Sequence, residues 1–199
     1  MNNYPYIPFV PNRSSVLRRM GSYKASFEAG LEQEINEYLK RAQSEFSVRG
    51  RAETFDIKHI GESAIVIAGH IVESRLLAKL LMPCEKAYVM CAAIPERDVA
   101  KINEAIEQGN GLLALVLDAY ASEYVDGALD VIMERKNEAL RRTGQALTKK
   151  RFSAGYGDLD IKYQRVFYDL LNMHDMEVKI TDKYLLIPEK SVIAIAGVE

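Results

Sequence analysis

The segment LLALVLDAYASEYVD (residues 112–126) opens a proline-free stretch that extends to about Arg142. Apolar residues recur in this stretch every three or four positions, as on one side of an α-helix. They are Leu113, Leu117, Tyr120, Tyr124, Ala128, Val131, Ile132 and Leu140. Because residues 112–117 are apolar on nearly every side, the pattern predicts that the longest helix of the protein passes through the centre of the fold.

Shorter elements on both sides of this helix predict an α+β fold. Helices are predicted from Ser14 or Ser15 to Arg19, from Ser26 to about residue 42, and at residues 72–81, 96–106 and 161–171. Strands are predicted at residues 46–49 and 54–57 on either side of Gly50, at 64–68, around Val89, and at 178–180, 185–187 and 192–195. With 199 residues, 48% of them hydrophobic, we expect a single domain over residues 1–199. Residues 1–13 are predicted to be an extended, proline-containing arm.

Composition argues against nucleic-acid and membrane partners. The chain has 26 basic and 28 acidic side chains, a net charge of −2 and a pI near 6.0. Such a chain has no general attraction to nucleic acid or to anionic lipid. No apolar run approaches the roughly 18 residues of a membrane span, and residues 1–10 do not resemble a secretion signal. We therefore expect a cytoplasmic protein.

Cysteine and histidine usage predicts neither a disulfide nor a metal centre. Cys91 lies in an apolar run and is interpreted as a buried thiol in a reducing compartment, seven residues after Cys84. His59, His70 and His174 are far apart and show no zinc-binding spacing. We interpret His174 as a surface loop residue, with an approach to a cofactor as the alternative.

Polar residues recur at a four-residue spacing within the predicted central helix. Asp118, Ser122 and Asp126 would lie one above another along one helical face. Because their neighbours are strongly apolar, a partly buried acid here needs a partner. Two explanations are open: pairing with basic side chains of neighbouring elements, or a ligand site.

The run RFSAGYGD (residues 151–158) predicts a recognition loop. Arg151 can bind a carboxylate through two hydrogen bonds, the glycines allow close backbone approach, and Tyr156 offers a flat face to a heteroaromatic ring or an onium centre. A small zwitterionic ligand that carries a ring would fit this set. The alternatives are binding of another phosphate or carboxylate, or a helix-end salt bridge, for Arg151, and packing within the loop for Tyr156.

A third run, YLLIPEKSV (residues 184–192), places a turn between two apolar segments. Pro188 and the following Glu189 and Lys190 are typical turn residues. The run therefore predicts a strand, a turn and a second strand arranged as a hairpin.

These runs, together with VLRRMG (residues 16–21), LDAYAS (residues 117–122) and the pair Val125 and Asp126, resemble the activation (reactivation) domain of vitamin B12-dependent methionine synthase. The likeness is to the compact stand-alone form that ends soon after a Pro-x-Lys-Ser-Val run, and it covers most of the chain. It implies an α+β domain with a long central helix, flanking helices and a twisted, mainly antiparallel sheet. After Tyr156 the chain departs from the full-length family, with Gly-Asp-Leu-Asp in place of Pro-Ala-Cys-Pro.

The resemblance also implies a ligand, since in this family an Arg-x-x-x-Gly-Tyr loop binds S-adenosylmethionine. The implied site residues are Arg151, Ser153, Ala154, Gly155, Tyr156 and Asp126. Arg151 would bind the carboxylate and Asp126 the ammonium or sulfonium charge. The loop backbone would contact the adenosine, with Tyr156 packed beside the ligand.

Further roles follow from the same resemblance. Lys190 and Ser191 are candidate residues of the cobalamin-facing side, although a hairpin accounts for them without a ligand. Asp118 is expected to be structural and to hold the Arg151 loop in place.

The implied function is reactivation of oxidised cobalamin in a methionine synthase that lacks its own activation domain. Cobalamin would come only with the partner protein, an electron would come from a flavodoxin-like donor, and the chemistry would belong mainly to the cofactor, so whether this chain is itself an enzyme stays open. Two alternatives remain: a reactivation partner of another corrinoid methyltransferase, and an S-adenosylmethionine-binding sensor or scaffold protein without methyl transfer.

Overall fold

The computed structural model describes residues 1–22 and 26–199, which form an α+β fold. The helices are α1 (Arg13–Arg19), α2 (Ala29–Glu45), α3 (Arg75–Leu81), α4 (Glu96–Glu107), α5 (Gly111–Leu140) and α6 (Tyr163–Leu170). The strands are β1 (Asn2–Tyr4), β2 (Arg49–Ile60), β3 (Ala64–Ile67), β4 (His70–Glu73), β5 (Lys86–Ala93), β6 (Lys179–Ile180), β7 (Leu186–Ile187) and β8 (Ser191–Val198). Within these described ranges, no helix is both long and apolar enough to cross a membrane.

A six-stranded sheet lies at the centre of the fold. Its order is β4-β3-β2-β5-β8, and β1 pairs with the first residues of β2. All of these pairings are antiparallel, which confirms the expected sheet. The predicted N-terminal arm thus adds a short strand to the sheet before α1 begins.

Gly50 lies inside β2, so the prediction of two strands separated at this residue is wrong. β2 continues without a break from its pairing with β5 to its pairing with β3. A Cβ on Gly50 would lie 2.5 Å from the carbonyl oxygen of Cys91 and 2.9 Å from Cδ1 of Ile132. The glycine is therefore explained by close packing against β5 and α5 and not by a turn.

The sheet separates two apolar cores, and β5 contributes to both because its side chains alternate in direction. Tyr88 and Met90 pack with residues of α5, whereas Val89 and Cys91 pack with residues of α3 and α6. Cys91 is fully buried, and burial raises the pKa of its thiol to about 12.

Helix α5 is the predicted central helix. It contains 30 residues and is therefore about 45 Å long. Every residue of the predicted apolar stripe is buried except Val131, which is half-buried. The central position of this helix, expected from its first six apolar residues, is confirmed by its packing against β5, α2 and α4.

Several predicted helix boundaries are wrong because capping residues were misassigned. Asn12, and not Ser14 or Ser15, caps α1, and its Oδ1 accepts a hydrogen bond of 2.8 Å from the backbone N–H of Ser14. Helix α2 begins at Ala29, three residues after Ser26.

Two further corrections concern α3 and α4. Residues 70–73 form β4, in which Val72 pairs with Ile65, and α3 starts only after Ser74. Ser74 Oγ accepts a hydrogen bond of 3.0 Å from the N–H of Leu77, which makes it the N-cap. On α4, Ile106 is 59% exposed, and Ala105 is buried instead of it.

The turn at residues 188–190 joins two sheets, so the predicted hairpin is wrong. Strand β7 pairs with β6, whereas β8 pairs with β5 in the main sheet. The apolar segments on both sides of the turn are strands, as predicted, but they do not pair with each other.

The segment after α5 covers the outer edge of β8. Leu147 and Phe152 form isolated bridges with Val198 and Ile195, and the backbone N–H of Thr148 donates to Gly197 O at 2.9 Å. This pairing satisfies an otherwise open sheet edge. It also fixes the start of residues 151–158, which we call the recognition loop.

Candidate ligand-binding site

The polar face of α5 continues one step further than the sequence analysis recognised. Asp118, Ser122 and Asp126 are followed after another four residues by Asp130, and we call these four residues the polar stripe. The stripe extends over twelve helical steps, from Asp118 to Asp130, and therefore over about 18 Å along the helix. Three basic side chains from distant parts of the chain reach it.

Lys190 occupies the N-terminal end of the polar stripe. Its ammonium group lies 2.6 Å from Asp118 Oδ1 and donates a hydrogen bond of 3.1 Å to Ser122 Oγ. Only 13% of the Lys190 side chain is exposed. Asp118 therefore has a structural partner, as expected, but it holds the turn before β8 and not the Arg151 loop.

Arg19, at the end of α1, binds the middle of the stripe. Its guanidinium pairs with Glu123 and with Asp126. Burial acts to lower the pKa of Arg19, but the hydrogen bond to Glu123 and the charges of both acids outweigh it, so that the pKa is raised above its ordinary value. In this structure the carboxylate of Asp126 is thus neutralised by a residue 107 positions away in the sequence.

Arg151 binds the C-terminal end of the stripe. Its Nη1 pairs with Asp130, its Nη2 donates to the backbone oxygen of Asp126 at 3.2 Å, and Nη2 lies 4.0 Å from Asp126 Oδ1. The two residues that sequence reasoning assigned to opposite ends of a zwitterion are therefore adjacent. Arg151 is 25% exposed and Asp126 44% exposed, so both can be reached from solvent.

The far end of the recognition loop is fixed on the opposite face of the sheet. Asp158 accepts hydrogen bonds from Ser74 Oγ, from the backbone N–H of Arg75 at 2.8 Å and from that of Leu76. The Ser74 hydrogen bond, joined by these N–H groups, lowers the pKa of the Asp158 carboxyl below its ordinary value. This acid is therefore explained by capping of α3.

The glycines let the loop lie against α3 and close on itself. Gly157 has a φ of +58°, and a Cβ there would lie 2.6 Å from Cδ1 of Leu76. Gly155 has a φ of +88°, and its N–H donates to Leu159 O at 2.8 Å. Both positions favour glycine for conformational reasons, and the Gly155 N–H is already engaged within the loop.

The remaining loop residues differ in exposure. Ala154 is buried at 7%, Ser153 is half-buried, and Tyr156 is 70% exposed. The Tyr156 ring is therefore outside the core and presents a face to solvent. The alternative of packing within the loop does not describe this arrangement.

Ser191 and His174 lie apart from the Arg151 pair. Ser191 Oγ donates to Pro188 O at 2.6 Å within the turn. His174 is 88% exposed and lies 3.6 Å from Asp175, consistent with its interpretation as a surface residue.

Three of the five charged residues in this cluster, Arg19, Glu123 and Asp130, were not candidates in the sequence analysis. Asp130 continues the four-residue spacing of the stripe, so that extending the pattern by one step would have found it. Arg19 comes from a helix more than a hundred residues away. Its run contributed to the resemblance, but nothing in that run assigned it to the site.

The cluster has the chemistry to bind a zwitterion by exchange of ion pairs. Arg151 and Arg19 provide two cations, and Asp126, Asp130 and Glu123 provide three anions. A ligand carboxylate would take the place of Asp130 on Arg151, and a ligand cation would take the place of Arg19 on Asp126. Because these pairs are partly exposed, each costs little to replace.

No family model and no curated protein sequence matches this chain. Among solved structures, one similar chain is the MetH reactivation domain, in a crystal structure bound to AdoHcy. The two folds agree with a TM-score of 0.64 at 14% sequence identity, over 95% of this chain and 70% of that chain. The chain therefore has the α+β fold of the MetH reactivation domain, with a long central helix and a curled antiparallel sheet.

Proposed function

We propose that residues 1–199 act as a single unit that binds S-adenosylmethionine and reactivates the cobalamin of a partner methionine synthase. One observation carries this proposal: Arg151 Nη2 lies 4.0 Å from Asp126 Oδ1 at the polar stripe. The pair combines the two charges that an α-amino acid group requires, on a fold shared with a domain that was crystallised with AdoHcy.

Each part of the ligand has a counterpart in the described residues. Arg151 can donate two hydrogen bonds to the α-carboxylate, and Asp126 can accept the α-ammonium group or lie close to the sulfonium charge. The exposed ring of Tyr156 can stack beside the adenine. Ser153, Ala154 and Gly155 form the adjoining backbone against which the ribose would lie.

The polar stripe also suggests where the partner's cobalamin would lie relative to the ligand. Lys190 contacts Asp118, eight residues and therefore about 12 Å along α5 from Asp126. With the ligand at Arg151, we place the cobalamin-facing surface along the stripe towards Lys190 and Ser191. The partner's cobalamin would supply the metal that accepts the methyl group, and a flavodoxin-like protein would supply the electron.

In this proposal the chain positions its ligand and does not itself react. Arg151 and Asp126 hold the amino acid end, which fixes where the methyl group projects. Docking of the partner then makes methyl transfer effectively intramolecular, and orientation of this kind lowers barriers by several kcal/mol.

Calorimetric titration with S-adenosylmethionine tests the proposal, for the chain alone and with a cobalamin-loaded methionine synthase core present. Arg151→Ala is expected to weaken binding by about tenfold to a hundredfold, because it removes hydrogen bonds to a charged group. Arg41→Ala is the matched control, since Arg41 forms a similarly exposed ion pair with Glu45 on the outside of α2.

The outcomes separate the candidate functions. Absence of binding by the wild type under both conditions, or equal loss in the two variants, would contradict the proposal. Binding that depends on Arg151 but never responds to a corrinoid protein would favour the alternative of a ligand-sensing protein.

A further inference from the structure

A cavity lies between α3 and the segment that covers β8. Its volume is 740 Å³, and we call it the edge cavity. Pockets of this size hold small organic molecules. It shares Arg151 with the Arg151 and Asp126 pair, but the four residues of the polar stripe do not line it.

Apolar side chains form the floor of the edge cavity. Leu76 and Leu80 of α3 face Phe152 of the recognition loop across it. Leu76 is 48% exposed although it packs near Gly157. An exposed apolar surface inside a concave site favours a ligand with an apolar body.

The rim of the edge cavity is strongly basic. Lys79, Lys149, Lys150 and Arg151 line it, against a single acid, Glu199. Within the described ranges, the side chains of Lys79, Lys149 and Lys150 form no ion pair. These three ammonium groups can therefore bind an anion without first breaking another contact, unlike Arg151, which is held by Asp130.

We propose that the edge cavity is a binding site for a small amphipathic anion, a phosphate or carboxylate that carries an aliphatic or flat apolar group. The anionic head would lie among the lysines, and the apolar body would cover Leu76 and Phe152. Charge and shape both support this class, since an uncharged apolar molecule leaves the lysines unused and an inorganic anion leaves the floor uncovered. The site does not depend on the proposed function, because the lysines that would bind the anion are not part of the Arg151 and Asp126 pair.

The test uses the full chain and decyl phosphate below its micellar concentration, followed by calorimetry. Decanol and inorganic phosphate serve as ligands that each lack one half of the probe, and both are expected to bind at least tenfold more weakly. The double variant Lys149→Glu/Lys150→Glu is expected to weaken decyl phosphate binding by tenfold or more. Lys179→Glu/Lys183→Glu, at exposed positions of β6 and of the turn after it, is the charge-matched control and is expected to bind like the wild type.

Two further experiments test the apolar contact and distinguish a free phosphate ligand from a lipid surface. Leu76→Ala is expected to weaken decyl phosphate severalfold and to leave inorganic phosphate binding unchanged. Vesicles of phosphatidylglycerol and phosphatidylcholine are expected not to co-sediment with the protein. Co-sedimentation without binding of monomeric decyl phosphate would overturn the proposal and indicate a lipid surface instead.

The proposals for the edge cavity and for the Arg151 and Asp126 pair can be tested separately, although Arg151 belongs to both. Asp126→Asn is expected to leave decyl phosphate binding unchanged. Equal binding by the wild type and the double lysine variant would overturn the edge-cavity proposal without affecting the S-adenosylmethionine site. Competitive displacement of decyl phosphate by S-adenosylmethionine would also overturn it, because the two ligands would then share one site.

Discussion

The two faces of α5 are held by different forces, although they alternate along the same 30 residues. On the buried face, Leu117, Ala128 and Leu129 are fully buried among apolar side chains. On the polar stripe, each acid is neutralised by a cation from another segment, and each of these pairs remains partly exposed. The buried face therefore contributes most of the stability that this helix provides, since apolar burial dominates folding energies whereas exposed ion pairs contribute little.

The neighbours Leu117 and Asp118 give the largest contrast. Leu117→Ala is expected to reduce the free energy of unfolding by about 2–5 kcal/mol, because it leaves a cavity in the core. Asp118→Asn removes only a partly exposed pair with Lys190, and the expected loss is below about 1 kcal/mol. Urea unfolding followed by circular dichroism measures both, and similar losses would break the distinction between the two faces.

Two helical glycines differ in the space around them, and only Gly127 lies on the buried face of α5. A Cβ on Gly127 would lie 2.0 Å from the ring of Phe9, whereas nothing lies within 4 Å of one on Gly30 of α2. Gly127→Ala is expected to destabilise the protein by about 1–3 kcal/mol, since the N-terminal arm must move. Gly30→Ala is expected to stabilise it by up to about 1 kcal/mol through helix propensity. Thermal unfolding of both variants decides this, and a shared sign would show that Phe9 does not pack as described.

The two ends of the recognition loop also differ in how much they are expected to contribute to stability. Arg151 forms exposed ion pairs, whereas Asp158 and Ser74 jointly cap α3. Ser74→Ala is expected to cost about 1 kcal/mol through loss of the N-cap. Arg151→Ala should change the free energy of unfolding by less than this amount.

Acid sensitivity tests the cap at Asp158 separately. Its folded-state pKa lies below the value of the unfolded chain, so its contribution to stability is present above about pH 4 and is lost as the pH falls through the folded pKa. Asp158→Asn is expected to unfold with a weaker pH dependence below about pH 4 than the wild type. Urea midpoints measured from pH 2 to pH 6 check this, and identical slopes in the two proteins would exclude the capping role.

Sequence reasoning succeeded where the pattern is local and repetitive. The three- and four-residue spacing of α5 predicted its length and its buried face, and the resemblance identified the fold. Predictions from local sequence failed where contacts with distant residues determine the secondary structure. Gly50 was interpreted as a break between strands because its contact with Cys91 cannot be read from the neighbouring residues. Residues 72–73 form a strand, and not the start of a helix, because β3 pairs with them. For the site, the adjacency of Arg151 and Asp126 was expected from the resemblance, whereas Arg19 entered only through the fold. The ligand roles of these residues stay predictions.

The smallest effect on stability is expected for substitution of Asp130. This substitution is also expected to raise the affinity for the ligand, whereas substitution of Asp126 should lower it. Asp130 is 68% exposed and occupies the guanidinium group that a ligand carboxylate would need. Asp130→Asn should therefore change the free energy of unfolding by less than about 0.5 kcal/mol and raise affinity for S-adenosylmethionine up to about fivefold, which is the worth of one exposed ion pair. Asp126→Asn should lower the affinity, although both variants remove one negative charge from the same face, and Asp182→Asn controls for net charge. If both stripe variants change affinity in the same direction, the polar stripe acts through its overall charge, and the assignment of Arg151 to the carboxylate and Asp126 to the ligand cation is wrong.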